Sequence, residues 1–190
     1  MNLFKRNPDS PIVSPSGFQE LYERNRLPVF RYIYGLTGGP QADAEDLTAE
    51  TFLRAWKARQ RFVGTADSAT GWLIRIAKRP VIDEYRRTLQ ATRNLPSPPK
   101  AELSAEHDAI ADEQKHFLMA LLQELPADHR EILTLRYLLG WRVTDIAQHI
   151  GASENHISVT IHRTLSRLRE KWLESDREDL SVIALQEKIS

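Results

Sequence analysis

Apolar residues recur at three- and four-residue spacing along most of this chain, and this helical period constrains its fold more than any other feature. In the segment 42–60, for example, Leu47, Phe52 and Trp56 lie on one stripe of a helix. No segment of the sequence alternates apolar and polar residues between hairpin turns, as a half-buried strand would. The sequence therefore predicts an all-α protein.

The first helix has sequence signals at its start, middle and end. Ser16 and Gln19 form a capping box that predicts its first turn. Pro28 lacks a backbone donor and is expected to disturb it, and Gly38 is expected to end it.

Two more helices should complete a first domain. The second is expected over 42–60, with acidic residues in its first turns, where the helix dipole favours them. The segment 62–67 is expected to be a loop, and the third helix to span 68–89.

A segment rich in Pro, Ser and Ala, residues 90–107, predicts a flexible linker between two small helical domains. The domains are expected over 16–89 and 108–173. A leader, residues 1–15, and an acidic tail, residues 174–190, would lie outside them.

The second domain contains the spacing of a helix-turn-helix. Ala147 would let two helices approach, and Gly151, four residues on, would form the turn. Ile157 follows six residues later on the second helix, which is expected to reach Trp172. The same spacing also occurs in pairs of helices that pack against each other and bind no DNA. It therefore favours DNA binding without establishing it.

Charge is balanced overall but not locally. The chain has 26 Lys and Arg against 26 Asp and Glu, so no global field attracts nucleic acid or membrane. However, residues 72–95 carry six basic and two acidic side chains, whereas residues 96–125 carry two basic and six acidic ones. Any attraction to a polyanion must therefore be local.

Several classes of protein are disfavoured. The absence of cysteine excludes disulfides and thiolate sites, and the proline-rich start resembles neither a signal peptide nor a membrane anchor, so we expect a cytoplasmic protein without membrane insertion. Glu113 and His116 form a single Glu-x-x-His, whereas a two-metal bundle needs the motif twice. We expect no enzyme activity, no metal and no cofactor.

Three motifs in series carry a resemblance. They are AEDLTAETFLRAW at 44–56, WLIRIAKRPVIDEYRR at 72–87, and ELPADHREILTLRYLLGW at 124–141 leading into the helix-turn-helix. In order and spacing they resemble regions 2.2, 2.3 to 2.4, and 4 of the extracytoplasmic-function (ECF) sigma factors, a group of the sigma-70 family of RNA polymerase sigma factors. The resemblance covers residues 16–172. It implies a factor that binds core RNA polymerase and directs promoter recognition, DNA melting and transcription initiation.

The resemblance also implies partners and site residues. The second helix would dock on the clamp helices of the largest polymerase subunit, and the resemblance implies an anti-sigma factor as a further partner. The residues implied to bind core polymerase are Asp46, Leu47, Glu50, Phe52 and Trp56.

Promoter DNA would be bound by two further sets of residues. The minus-ten set combines cations for phosphates with aromatic rings for exposed bases: Trp72, Arg75, Lys78, Arg79, Tyr85, Arg86 and Arg87. The minus-thirty-five set combines polar residues for base edges with cations for phosphates: Ser153, Glu154, Asn155, His156, Ser158, His162, Arg163 and Arg167.

Some positions depart from the family pattern. Ala49 replaces a usual Gln in region 2.2, and Arg79 followed by Pro80 replaces a familiar promoter contact. Ser158 and Thr160 stand where Lys and Arg are frequent, which predicts a weaker grip on phosphates.

Two other interpretations remain open at this stage. A self-contained helix-turn-helix regulator would bind an operator as a dimer, but it should also carry a ligand, phosphoacceptor or dimerisation module. A helical adaptor without a nucleic-acid role would require the basic elements to be incidental.

Overall fold

A computed structural model describes residues 12–65, 68–92 and 117–187, and within these ranges the chain is helical with no strand. This confirms the all-α prediction. The first three helices are α1 (Pro15–Thr37), α2 (Gln41–Ala58) and α3 (Ala69–Thr92). The others are α4 (117–123), α5 (Ala127–Leu133), α6 (Val143–Ile150) and α7 (Glu154–Glu187).

The start of α1 differs from the predicted capping box. Ser14, not Ser16, is the N-cap: its Oγ accepts a hydrogen bond of 3.0 Å from the Gly17 N–H. Pro15 then takes the first helical position, where a missing N–H costs nothing, and this moves the start of the helix back by two residues.

The rest of α1 is continuous. The helix runs through Pro28 to Thr37, so the proline does not end it. Val29 and Ile33, just beyond the proline, are fully buried, and this packing offsets the lost backbone hydrogen bond. The predicted end is confirmed, because Gly38 has a φ of 58° and donates its N–H to the Tyr34 carbonyl.

The first three helices pack on one another around a shared core. Val29 and Ile33 of α1, Ala55 of α2, and Leu73 and Ala77 of α3 all have no exposed surface. Burial of each large aliphatic side chain contributes about 1.5–3 kcal/mol. This core fixes the outer faces of α2 and α3, on which the predicted binding residues lie.

The boundaries of α2 and α3 are close to those predicted. After α2 the chain makes a single 3-10 turn, Arg59–Arg61, which accounts for the predicted end near residue 60. Helix α3 is described as far as Thr92, three residues beyond the predicted end.

The second domain contains the predicted helix-turn-helix. Helices α6 and α7 are joined by a turn in which Gly151 has a φ of 81°, a conformation that favours glycine. Ile146 and Ile157 are fully buried between them. Helix α7 does not stop at Trp172 but continues to Glu187, because no Gly or Pro follows Ala152 to end it.

A π-helical turn, Thr134–Leu138, extends α5 and was not predicted. It packs against α1, so the two domains are in contact. The predicted linker between them falls mostly outside the described residues, as do the leader up to residue 11 and the Glu113–His116 pair. Among the helices that the structure describes, none combines the length and apolar character needed to span a membrane.

Candidate nucleic-acid interface

The aromatic residues of α2 lie beneath its surface. Phe52 is 5% exposed and contacts the Tyr22 ring edge-on, with the centroids 4.8 Å apart. Trp56 meets the Phe18 ring at 5.0 Å, and the Arg59 guanidinium lies over the indole at 3.6 Å from its centroid. These side chains therefore support the α2 face rather than project from it.

Above these rings, α1 and α2 form an open apolar groove of about 740 Å³. Its walls include three exposed apolar side chains, Tyr22, Leu27 and Leu53, of which Leu53 is 55% exposed. None of the three was predicted as a binding residue, although an apolar residue off the buried stripe of an amphipathic helix is the signal that would have identified them. The groove is an apolar surface of the kind that binds another protein.

Two acidic residues of the predicted polymerase-binding set lie on the same helix. Asp46 is exposed, and Glu50 forms an ion pair with Arg54, one turn on, at 2.6 Å. Leu47 is half-buried. An exposed pair of this kind contributes little to stability, so Glu50 could exchange Arg54 for a cation on a partner.

The predicted minus-ten residues of α3 differ in their exposure, and the first of them, Trp72, makes an aromatic contact. Trp72 is half-buried and its ring lies 5.0 Å from that of Phe62, in the preceding loop. Arg75, one turn further, is exposed, and so is Arg87 near the other end of the helix. The side chains of Arg79, Tyr85 and Arg86 lie outside the described part of the structure.

Lys78, another member of the minus-ten set, contacts the second domain, which its local sequence does not indicate. Its Nζ lies 2.9 Å from Glu131 Oε2 on α5, and the Tyr32 hydroxyl donates to the other oxygen at 3.0 Å. Burial raises the pKa of Tyr32 well above its usual value, and the charge of Glu131 raises it further. Tyr32 therefore stays protonated and remains a donor.

A cleft of about 670 Å³ separates the start of α3 from the helix-turn-helix. Phe62, Trp72 and Arg75 line one side, and Trp141 and His149 line the other. The Trp141 and His149 rings meet edge-on at 5.1 Å. Trp72 and Arg75 of the predicted minus-ten set thus face the second domain.

The pKa of His149 is below its usual value. Burial is the largest cause, and the nearby charge of Arg75 lowers it further. Lys78 also lowers it, whereas Glu131 acts in the opposite direction. His149 is consequently neutral at pH 7.

Acid is expected to destabilise the folded chain through His149. A depressed pKa in the folded state means that the contribution to stability is complete above the unfolded value of about 6.5 and is lost as pH falls through the folded value. Urea unfolding at about pH 7.5 and about pH 5 should therefore show a larger loss of unfolding free energy in the wild type than in His149→Gln. Equal losses in both proteins would contradict this role of His149.

All residues of the predicted minus-thirty-five set, at the start of α7 and along it, are exposed to solvent. Ser153 precedes α7, and its Oγ accepts a 3.2 Å hydrogen bond from the His156 N–H, so Ser153 caps the helix. Ser153 is exposed, and so are the other members of the set: Glu154, Asn155, His156, Ser158, His162, Arg163 and Arg167.

Thr160 differs from the expectation for its position. It is only 7% exposed and lies on the side of α7 that packs against the rest of the domain. The sequence interpretation that Thr160 weakens a phosphate contact is therefore wrong, because this position does not face outward.

Both domains of this chain are similar to domains of known proteins. Residues 21–90 match the family model of Sigma-70 region 2, and residues 118–168 match that of Sigma-70, region 4. The ECF RNA polymerase sigma factor SigL of Mycobacterium tuberculosis is 31% identical over 153 residues, covering 78% of this chain and 85% of SigL. BldN of Streptomyces coelicolor, also an ECF sigma factor, is 33% identical over 158 residues, covering 80% of this chain and 60% of BldN.

A solved structure gives a similar result. The sigma factor RpoE of Bartonella quintana, crystallised with the anti-sigma factor NepR, superposes with a TM-score of 0.63 at 25% identity, over 83% of this chain and 96% of RpoE. The fold and the two matched regions define a sigma factor of the sigma-70 family. The chain belongs to its extracytoplasmic-function group, and it is an alternative sigma factor that directs transcription initiation.

Proposed function

We propose that the two domains of this sigma factor divide promoter recognition between them and that α2 attaches both to core RNA polymerase. The observation that carries this proposal is that α2 and α3 of one domain present different surfaces. The first borders an apolar groove with acidic residues beside it, and the second carries a half-buried aromatic ring, Trp72, beside exposed basic residues. A protein partner suits the first surface and a nucleic acid suits the second.

Polymerase binding would use the groove and the acidic edge together. Leu53 would be buried in the interface, while Asp46 and Glu50 pair with basic residues of the clamp helices. The resting pair between Glu50 and Arg54 is exposed and would cost little to exchange. Phe52 and Trp56 would support this surface from below.

Promoter melting would use the start of α3 and the loop before it. Unpairing and flipping a base costs a few kcal/mol, which stacking and hydrogen bonds to the captured base can offset. The Trp72 ring rests on Phe62 beside the exposed Arg75, so an aromatic surface and a phosphate-binding cation lie together. No nucleotide hydrolysis is needed for this step, and we propose that the factor has no catalytic site of its own.

The minus-thirty-five element would be bound by α7 in the major groove. Glu154 can accept from the amino group of cytosine, and Asn155 suits adenine. Arg163 and Arg167 lie further along the helix, where their contacts with phosphates would position α7 on the DNA. The absence of Lys and Arg from 153–160 implies that base readout there contributes little electrostatic affinity.

Regulation would come from an anti-sigma factor in the cytoplasm, where RNA polymerase is found. The related RpoE was crystallised with the anti-sigma factor NepR, and the apolar α1–α2 groove of this chain is a surface that such a protein could cover. Occupation of the groove would exclude polymerase by mass action.

The melting assignment can be tested by permanganate footprinting. Core polymerase with this factor should make thymines near the minus-ten element of a genomic promoter reactive, and Arg75→Ala should reduce that reactivity about tenfold, as loss of one phosphate contact in a partly desolvated site implies. Arg31→Ala, which removes an exposed arginine from α1, is the matched control. Equal reactivity with both variants would show that Arg75 of α3 does not contribute to promoter melting.

A further inference from the structure

A second apolar groove lies on the helix-turn-helix domain, between α4 and α7, and has a volume of about 810 Å³. Leu121 and Leu168 line it and are buried, and Trp172 beside them is half-buried. Leu165 and Leu173 of α7 also line it, and they are 38% and 52% exposed. Exposed leucines that adjoin a buried apolar cluster in this way indicate a surface that binds another protein.

The groove lies where α7 extends beyond the family pattern. The match to Sigma-70 region 4 ends at residue 168, whereas α7 continues to Glu187. In the sequence, Leu180 and Ile183 follow Leu173 at seven and ten residues, positions that the helical period assigns to the same face. A helical extension of this length is marginal in water without packing. A partner that covers its apolar face would stabilise it.

Charge is segregated along this half of α7. Residues 165–173 carry three basic side chains and one acidic one, and residues 174–183 carry one basic and four acidic ones. When two copies of such a helix lie antiparallel, the basic part of each faces the acidic part of the other. A parallel pair would oppose like charges instead. The charge pattern is therefore complementary to itself in one orientation.

The apolar positions agree with the same antiparallel arrangement. A two-fold axis between Trp172 and Leu173 brings Leu165 opposite Leu180 of the second copy. It also brings Arg169 opposite Asp176 of the second copy. Each of these pairs occurs twice, because the two-fold axis repeats every contact.

We propose that the α4–α7 groove is a homodimer interface, in which α7 of a second copy lies antiparallel along residues 165–183 of the first. This inference goes beyond the proposed function and does not depend on it. His162 lines the same groove and belongs to the minus-thirty-five set. The dimer therefore covers part of the surface proposed to bind the promoter.

This dimer is distinct from one that binds an operator. At a rise of 1.5 Å per residue, the two copies of Glu154 at the starts of α7 lie about 55 Å apart. Half-sites of an operator are about 34 Å apart, or a multiple of that distance. Dimerisation through α7 consequently does not favour the dimeric regulator over the sigma factor.

Sedimentation equilibrium of the full chain tests the interface. We expect a dimer with a Kd of about 10 µM, as a short two-helix contact implies. At about 100 µM the average mass should then approach twice the monomer mass of 21.8 kDa. Leu173→Asp should raise the Kd about thirtyfold, because each copy would place a carboxylate near the two-fold axis. The matched control is Leu27→Asp, because Leu27 is 50% exposed in the α1–α2 groove.

A charge exchange tests the antiparallel register. Arg169→Asp and Asp176→Arg should each raise the Kd about tenfold, because each opposes like charges across the axis. The double variant Arg169→Asp with Asp176→Arg restores opposite charges and should recover the wild-type Kd. Leu173 and Arg169 are exposed, so the substituted chains should keep the wild-type circular dichroism spectrum.

Three results would overturn the proposal. The wild-type chain could remain a monomer at about 100 µM, well above the expected Kd. Leu27→Asp could weaken a dimer as much as Leu173→Asp, which would place the contact elsewhere. The double charge variant could remain as weak as the single variants, which would exclude the antiparallel pairing of Arg169 with Asp176.

Discussion

Replacing Arg130 with alanine is expected to lower the free energy of unfolding by about 3–5 kcal/mol, because it leaves several buried carbonyls without a donor. The Arg130 side chain is 2% exposed. Its guanidinium donates to the carbonyl oxygens of Leu122 and Leu125 near the end of α4, and to that of Leu36 in the first domain at 2.8 Å. The loss should appear in urea unfolding followed by circular dichroism.

The matched control is Arg142→Ala. The Arg142 side chain is 81% exposed and pairs only at the surface, with Asp145 at 3.2 Å. Its removal should change the unfolding free energy by less than about 0.5 kcal/mol. Similar losses for Arg130→Ala and Arg142→Ala would show that the buried guanidinium does not hold α4 and α5 together.

Leu53→Asp is expected to weaken binding to core RNA polymerase about thirtyfold while leaving the fold intact. Leu53 is more than half exposed in the apolar α1–α2 groove, so a charge there is tolerated in the free protein. In a complex the carboxylate would be desolvated at the centre of the interface. A central residue of this kind is worth about 2 kcal/mol, which corresponds to that change in Kd.

Val63→Asp provides the comparison for this prediction. Val63 is also an exposed aliphatic residue, but it lies in the loop before α3, outside the α1–α2 groove. Fluorescence anisotropy of labelled factor titrated with core polymerase should give the wild-type Kd for Val63→Asp. Equal weakening by the two substitutions would mean that the groove is not the docking surface.

The elements set by local backbone chemistry could be predicted from the sequence. Gly38 and Gly151 each adopt the positive φ that their positions require, and the stripe through Phe52 gave α2 almost to its ends. The start of α1 was misplaced because Ser14 and Ser16 are both good N-caps. The choice between them depends on Pro15, which fits the first position of a helix.

The features set by long-range packing could not be predicted. Glu131 and Lys78 are far apart in the chain, and nothing in their local sequence indicates that they pair. The same holds for Thr160, because whether it faced DNA or the core depended on the rotation of α7 against α5. The buried stripe of α2 does not indicate the groove, because Leu53 lies off that stripe and is exposed.

Transcription in vitro shows whether this chain gives core RNA polymerase its promoter specificity. The purified factor, core polymerase and a pool of genomic fragments are combined, and the 5′ ends of the transcripts are mapped with and without the factor. We expect factor-dependent starts that share two spaced upstream elements. Failure to associate with polymerase, together with tight binding of duplex DNA by the chain alone, would contradict this expectation and favour a dimeric helix-turn-helix regulator.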